Sequence, residues 1–249
     1  MFTTHTGINS LREAGTALNQ LLAASRDKAV LLLVPTGSAF SLVNRIDPAF
    51  LPHQTTITML NERYAENGAG TQVVRLKASP FWERMQEKKV PFIDPSPTAG
   101  ELPDKAADRF DKALQAWHAA HPKGIAIALM GIGTDGHIAD IFPHTEVVAM
   151  AAFMSLFESD PFVCGYRSDK EKDAALPNRI TVTNTYLRNH VDHAIVYVVG
   201  EQKHESLATI YNMMRKPVQT PACIIREMKQ VEIYTDIHLT ADEMGKTLR

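Results

Sequence analysis

The amino-acid sequence predicts an α/β protein: one domain, a parallel-rich sheet, and helices on both faces of that sheet. Three observations carry this expectation. The runs at residues 29–34, 125–130 and 194–199 are apolar without alternation, as in strands buried on both faces. Segments of helical periodicity alternate with such runs almost throughout. No internal repeat, low-complexity block or long linker interrupts the 249 residues.

The elements follow in order. Residues 8–25 read as an amphipathic helix with Leu11, Leu18, Leu21 and Leu22 near one stripe. The strand at 29–34 is broken by Pro35-Thr36-Gly37-Ser38, and residues 39–46 can form a short helix. A second strand, 56–60, ends at Asn61-Glu62-Arg63. Residues 71–87 and 104–121 read as helices, and the Pro91, Pro95, Pro97, Gly100 and Pro103 between them mark a loop rather than a domain boundary. A third strand spans 125–130, a short one 180–183, and another 194–199. A helical piece is expected at 185–189, a helix at 201–214, and two short tail strands at 222–225 and 231–234. Met213, Met214 and the apolar face around Leu207 and Ile210 read as core packing.

Composition narrows the function classes. The chain is 45% apolar and 22% charged, which excludes a mostly disordered protein. Its 26 basic and 28 acidic residues leave a net charge of −2. That balance offers no electrostatic basis for a nucleic-acid or membrane partner, although a local basic pocket for a small anion is compatible with it. Cys164 and Cys223 cannot build a disulfide framework, and a reducing cytoplasm is the simpler setting. The first fifteen residues carry no basic segment followed by an apolar core. The longest mainly apolar stretch, 147–157, is well short of the roughly 20 residues of a membrane helix. The expectation is a soluble cytoplasmic protein.

In open parallel sheets, ligands bind beyond the carboxyl ends of the strands. Here those ends carry the chemically interesting residues. The strongest segment is Gly131-Ile132-Gly133-Thr134-Asp135-Gly136-His137-Ile138-Ala139-Asp140-Ile141-Phe142-Pro143. It contains a G-x-G-x-x-G match after a strand, but Pro143 limits any following helix to under two turns, and His137 directly follows the third glycine. This argues against a dinucleotide site. The glycines still allow backbone amides to approach an anion or oxyanion. A histidine there suits general-base work near neutral pH, and Asp135 is placed to orient the imidazole or to contact substrate. Gly37 with Thr36 and Ser38 forms a possible phosphate cradle, which a plain strand-to-helix turn would match as well. Arg63, Arg179 and Lys203 lie beside strand termini, where each is either an anion contact or a solvated surface cation. No H-E-x-x-H or paired C-x-x-C occurs, and His118 and His121 share a helix end without a third ligand, so no metal is expected. No G-x-S-x-G elbow supports serine-triad chemistry.

Taken together, these segments resemble the 6-phosphogluconolactonase and glucosamine-6-phosphate isomerase/deaminase superfamily, in the expected order over most of the chain. The 131–143 segment looks like the family's G-x-G-x-D-G-H-x-A signature, with Phe142-Pro143 similar to its lactonase form. Asn61-Glu62-Arg63-Tyr64 resembles D-E-R-Y, Asn178-Arg179-Ile180-Thr181-Val182-Thr183 resembles E-R-I-T-L-T, and Val199-Gly200-Glu201-Gln202-Lys203 resembles T-G-x-x-K. The resemblance implies a Rossmann-like three-layer α/β/α domain acting on a phosphosugar without metal or organic cofactor. His137 would be the general base, assisted by Asp135. Arg179 and Lys203 would hold the phosphate with help from Arg63, and Gly37 and Ser38 would form the phosphate loop. Gly133, Gly136 and Asn61 would line the substrate site, with amides of the 131–136 turn facing the oxyanion.

The implied reaction is hydrolysis of 6-phospho-D-glucono-1,5-lactone to 6-phosphogluconate in the pentose phosphate pathway. Two departures bear on the alternatives. The isomerase signature has a carboxylate where Phe142 stands, and the family has Asp where Asn61 stands. Neither residue here can relay a proton, which places the chain nearer the lactonases than the amino-sugar-phosphate isomerases/deaminases. A non-catalytic phosphosugar-binding protein is the remaining alternative. An Asn61→Asp substitution is expected to raise lactone turnover.

Overall fold

The computed structural model describes residues 2–65, 71–143, 147–168 and 176–245. In chain order the first half contains β1 (Phe2–Thr6), α1 (Ser10–Ala24), β2 (Val30–Val34), a 3-10 stretch Gly37–Arg45, β3 (Thr55–Met59), β4 (Asn61–Arg63), α2 (Gln72–Lys77), α3 (Pro80–Glu87), β5 (Phe92–Ile93) and α4 (Pro103–Ala120). There follow β6 (Ile125–Met130), α5 (Val147–Phe157), β7 (Val163–Arg167), β8 (Asn178–Val182), α6 (Asn184–His190), β9 (His193–Val198), α7 (His204–Thr209), a 3-10 stretch Pro221–Arg226 and β10 (Gln230–Thr235).

Seven strands form one sheet in the order β1-β10-β9-β6-β2-β3-β5, with every pairing parallel. The period-2 geometry of its strands explains the unbroken apolar runs. Leu31, Leu33, Ala126, Ala128, Met130, Ala194, Val196 and Val198 face one core, shared with residues of α4, α6 and α7. Val30, Leu32, Val34, Ile125, Ile127, Leu129, Ile195 and Tyr197 face the other, under α1, α2 and α3. The result is the expected three-layer α/β architecture. Each large side chain sealed in this way contributes roughly 1.5–3 kcal/mol of transfer free energy.

A second, antiparallel sheet β4-β8-β7 accounts for a difference from the sequence reading. Residues 61–63 do not end the second strand; the chain turns at Leu60 and begins a new strand. The Leu60 amide donates to Val34 O at 3.0 Å, and its carbonyl accepts from Val182 N at 3.1 Å, so this residue joins the two sheets. Glu62 then anchors the turn. Its fully buried carboxylate accepts from the amides of Arg63, Gln72 and Val73 at 2.6–2.7 Å, capping the start of α2.

Other expectations are also revised. The single helix at 71–87 is two, because Ser79 caps a new start at Trp82 N (3.2 Å) and Pro80 occupies the first turn of α3. The helix at 201–214 stops at Thr209, and Met213 and Met214 are 73% and 83% exposed, whereas Leu207 and Ile210 are buried as expected. Residues 222–225 form a 3-10 turn rather than a strand, with Ala222 N donating to Gly136 O at 2.9 Å. No helix directly follows the glycine turn at 131–136, since residues 137–143 are turn and bridge. The apolar stretch at 147–157 is α5, whose Phe153 and Phe157 pack with Ile141 and Val218. Strands β1, β5 and β7 were not anticipated. Their short or polar sequences (Phe-Thr-Thr-His-Thr for β1) lack an apolar signature, and they form by pairing with neighbours. Among the described residues, no helix is long and apolar enough to cross a membrane.

The core at α4 carries a pH-sensitive group. His118 sits among Trp117, Phe162, Tyr186 and His190, and its Nε2 lies 3.1 Å from the Tyr186 hydroxyl. Burial, assisted by the positive potential of His190, pushes its pKa down from 6.5 to about 4. Between those values the unfolded chain binds the proton more tightly, so stability should fall as pH is lowered from 6.5 to 4. Urea unfolding of His118→Phe across this range should show a shallower loss than the parent chain. Equal slopes would remove His118 as a contributor.

Candidate active site

The loops after β2, β6 and β9 converge at the carboxyl end of the main sheet, where the strand order reverses about β2 and β6. They enclose a cleft of about 180 Å³ lined by Pro35, Thr36, Gly37, Ser38, Leu60, Asn61, Gly131, Ile132, Gly133, His137, Ala139, Asp140 and Lys203. Thr36, Gly37, His137 and Asp140 also border a groove of about 460 Å³ whose outer wall includes Arg63, Thr71, Gln72 and Arg75. The sequence had placed His137, Gly37, Ser38, Asn61, Gly133, Arg63 and Lys203 at the site, and these residues share the cleft and groove.

The His137 loop is built on close approach. The Gly133 amide donates to His137 O at 2.9 Å, and the Gly136 amide to Gly133 O at 3.0 Å. A Cβ on Gly133 would stand 2.0 Å from His137 Nδ1 and 2.1 Å from Cε1, so only glycine lets the imidazole lie there. Gly136 adopts φ +80°, and a Cβ on it would meet Thr220 Cγ2 at 2.6 Å. Asp135 Oδ1 accepts from the His137 amide at 3.2 Å and from Nδ1–H at 2.5 Å. The carboxylate therefore selects the tautomer that leaves the Nε2 lone pair available. Phe142 packs beside the ring at 4.8 Å between centroids. The Gly133 and Gly136 amides are thus spent within the turn, which removes these two from the amides of the 131–136 turn expected to face an oxyanion. Gly136 stands behind the cleft, against Thr220, rather than in its wall.

Across the cleft, Lys203 Nζ donates to Ser38 Oγ at 3.0 Å. Lys203 is half-buried, and burial holds its pKa below the ordinary lysine value. Gly37 has φ +67° with open space around the position of a Cβ, so the backbone conformation, not crowding, requires glycine there.

Arg179 is the main correction. It is 0% exposed and lies outside the wall of both cavities. Its Nε is 3.4 Å from Asp140 Oδ2, and Nη1 donates to Leu176 O and Asn178 O. It meets the cleft through Asp140, which lines it, rather than forming the wall itself. Asp140, unnoticed as a functional residue in the sequence, is its partner and also accepts from Asn61 Nδ2 at 2.7 Å. A carboxylate at position 61 would therefore face the Asp140 carboxylate at close range, which argues against the expectation that Asn61→Asp raises activity. Asp140 was legible only as a second acidic residue within the glycine-turn segment. Arg75, also missed, lies over the Phe40 ring at 5.7 Å, a contact between sequence-distant elements. Among the described residues, no group of three or more His, Cys, Asp or Glu side chains is arranged to hold a metal ion.

The seat of His137 can be checked directly. Gly133→Ala should remove the downfield Nδ1–H resonance of the His137–Asp135 hydrogen bond from the proton NMR spectrum, as should Asp135→Ala, while the amide fingerprint of the sheet persists. A retained resonance in Gly133→Ala would mean that the ring does not depend on the missing Cβ.

Comparison with known proteins agrees with the geometry. Residues 18–234 match the family described as glucosamine-6-phosphate isomerases/6-phosphogluconolactonase. A 6-phosphogluconolactonase of Synechocystis sp. (strain ATCC 27184 / PCC 6803 / Kazusa) is 26% identical over 160 residues, a match spanning 63% of this chain and 58% of that protein. A 6-phosphogluconolactonase from Plasmodium vivax has a similar fold, with TM-score 0.75 and 13% identity, covering 98% of this chain and 92% of that one. The 6-phosphogluconolactonase from Shewanella baltica OS155 superposes with TM-score 0.71 and 17% identity over 94% of this chain and 97% of its own. A monomeric glucosamine-6-phosphate deaminase shares the fold at TM-score 0.64 and 15% identity, with 94% and 96% coverage. With a match running from residue 18 to residue 234, this chain belongs to the glucosamine-6-phosphate isomerase/6-phosphogluconolactonase family.

Proposed function

We propose that the chain hydrolyses a phosphorylated sugar δ-lactone, converting 6-phospho-D-glucono-1,5-lactone to 6-phosphogluconate, the lactone step of the pentose phosphate pathway. The observation that carries this reading is the His137–Asp135 pair, Nδ1 to Oδ1 2.5 Å, opening on the cleft that also holds Lys203 and Ser38. The naming of the Synechocystis relative as a 6-phosphogluconolactonase supports the same reaction.

The chemistry follows from the free ring nitrogen. Nε2 of His137 takes a proton from water as its oxygen attacks the lactone carbonyl, and Asp135 stabilises the imidazolium that forms. The tetrahedral intermediate collapses by breaking the bond from carbonyl carbon to ring oxygen. His137 returns the proton to that oxygen, leaving an open-chain acid with a free hydroxyl. Lys203 spends one of its three N–H donors on Ser38, whose own O–H then remains to donate. The two together suit a phosphate, whose charge also offsets the cost of holding a half-buried ammonium. Arg63 and Arg75 add positive charge along the outer groove. Gly37, Ser38 and Lys203 are thus read as the phosphate end, and His137 with Asp135 as the acid–base end.

Amino-sugar isomerisation needs a group that carries a proton between adjacent carbons. Asn61 is an amide, Phe142 occupies the space beside His137, and Asp140 is held by Asn61 and Arg179. Each of these favours hydrolysis. Cytoplasmic placement suits the two free cysteines, Cys164 and Cys223.

The test is a steady-state assay with spontaneous lactone hydrolysis subtracted. His137→Ala should lower kcat by about 10²–10⁴-fold with little change in KM. Lys203→Ala should raise KM for the phosphorylated lactone but not for its unphosphorylated counterpart. Parent-like turnover in a folded His137→Ala protein would remove His137 from the reaction. Turnover of glucosamine 6-phosphate in place of the lactone would assign the isomerase branch, and phosphosugar binding without either reaction would assign a binding protein.

A further inference from the structure

A primary amide has a donor end and an acceptor end, and which one meets a ligand depends on what holds the other. Asn61 lines the cleft and is 1% exposed, beside Asp140 at 8%. Its Nδ2 donates to Asp140 Oδ2 at 2.7 Å. Reversing the amide would set its oxygen against a carboxylate oxygen that can only accept. The planar amide therefore keeps Oδ1 on the opposite branch. Among the described residues, no protein donor bonds Oδ1, and Asn61 is part of the cleft lining.

The residue that fixes this orientation is held through both its carboxylate and its backbone. Arg179 Nε lies 3.4 Å from Oδ2. Asp140 and the preceding Ala139 both take left-handed backbone conformations, φ +56° and +50°. Two successive non-glycine residues in that region are strained and persist only where the surroundings over-determine them. The small sheet does so here, since Thr181 Oγ1 donates to Ala139 O at 2.5 Å and the Tyr166 hydroxyl donates to Asp140 O.

We propose that Asp140 is a positioning residue that turns Asn61 into an obligate hydrogen-bond acceptor for a hydroxyl of the bound sugar. This rests on the phosphosugar reading of the cleft. The phosphate end recognises charge, and the Asp140–Asn61 pair adds recognition of the polyol, so the site distinguishes a sugar phosphate from phosphate alone.

Titration calorimetry with 6-phosphogluconate and with inorganic phosphate separates these contributions. Asp140→Ala should lose about tenfold in affinity for 6-phosphogluconate, the worth of one hydrogen bond, while inorganic phosphate affinity stays within about twofold. Asp140→Asn retains an acceptor oxygen for Nδ2 and should bind 6-phosphogluconate within about threefold of the parent chain. Asn61→Asp should weaken 6-phosphogluconate binding by setting two carboxylates together, and the Asn61→Asp/Asp140→Asn double variant should recover it. Parent-like 6-phosphogluconate binding by Asp140→Ala would overturn the proposal. So would equal losses on both ligands, the mark of a merely structural role, or a double variant no better than Asn61→Asp alone. A parent chain that binds 6-phosphogluconate no more tightly than inorganic phosphate would also overturn it. If the parent chain prefers 6-phosphogluconate yet hydrolyses no lactone, the lactonase reading fails, and the same affinity ratios still decide the role of Asp140.

Discussion

A largely buried carboxylate in the wall of a cleft must be compensated, and the compensation of Asp140 organises the floor of this site. Desolvating such a group costs several kcal/mol unless opposite charge and hydrogen bonds surround it. Here Arg179 supplies the charge and Asn61 a donor, both from the small antiparallel sheet, while Asp140 belongs to the loop that follows β6 of the main sheet. The interaction therefore ties the two sheets together at the point where ligand would sit. Leu60 makes the same connection through the backbone, bonding Val34 on one side and Val182 on the other. This explains why an arginine beside a strand end is fully buried: its charge is needed inside the scaffold.

With the floor held, the two ends of the cleft can specialise. At one, the absence of a side chain on Gly133 lets the His137 imidazole lie against the turn while Asp135 holds its Nδ1. At the other, Lys203 is half-buried and spends one donor on Ser38. An imidazole whose Nδ1 is held by Asp135 suits the proposed activation of water at Nε2, and a half-buried ammonium favours an anionic ligand. On the proposed reading a phosphorylated lactone meets both requirements at once, whereas isomerisation would also need a proton-carrying group in the place of Asn61, which is an amide.

The elements that could be read ahead of the structure share one property: their burial is written in local pattern. The unbroken apolar runs of β2, β6 and β9 mark strands covered on both faces, and the leucine stripe of α1 marks a helix with one buried side. The errors fall where partners decide. Strand β1 is half polar and exists because β10 offers it a parallel edge. Residues 222–225 have strand-like composition, but Pro221 and the bond from Ala222 to Gly136 hold them as a 3-10 turn. Met213 and Met214 look like core residues, yet the chain leaves its helix before them.

The site divides in the same way. The sequence alone determined the sheet architecture, the glycine turn and the presence of His137, Asp135, Ser38 and Lys203 at strand ends, because spacing along one loop and position after an apolar strand are local facts. Only the tertiary structure decided that Arg179 is buried against Asp140 and that Asn61 is held by the same carboxylate. Those outcomes depend on which groups meet across 40 to 80 intervening residues and on which of them remain in contact with water. Charge pairing and desolvation are properties of such meetings, and no local pattern in the chain records them.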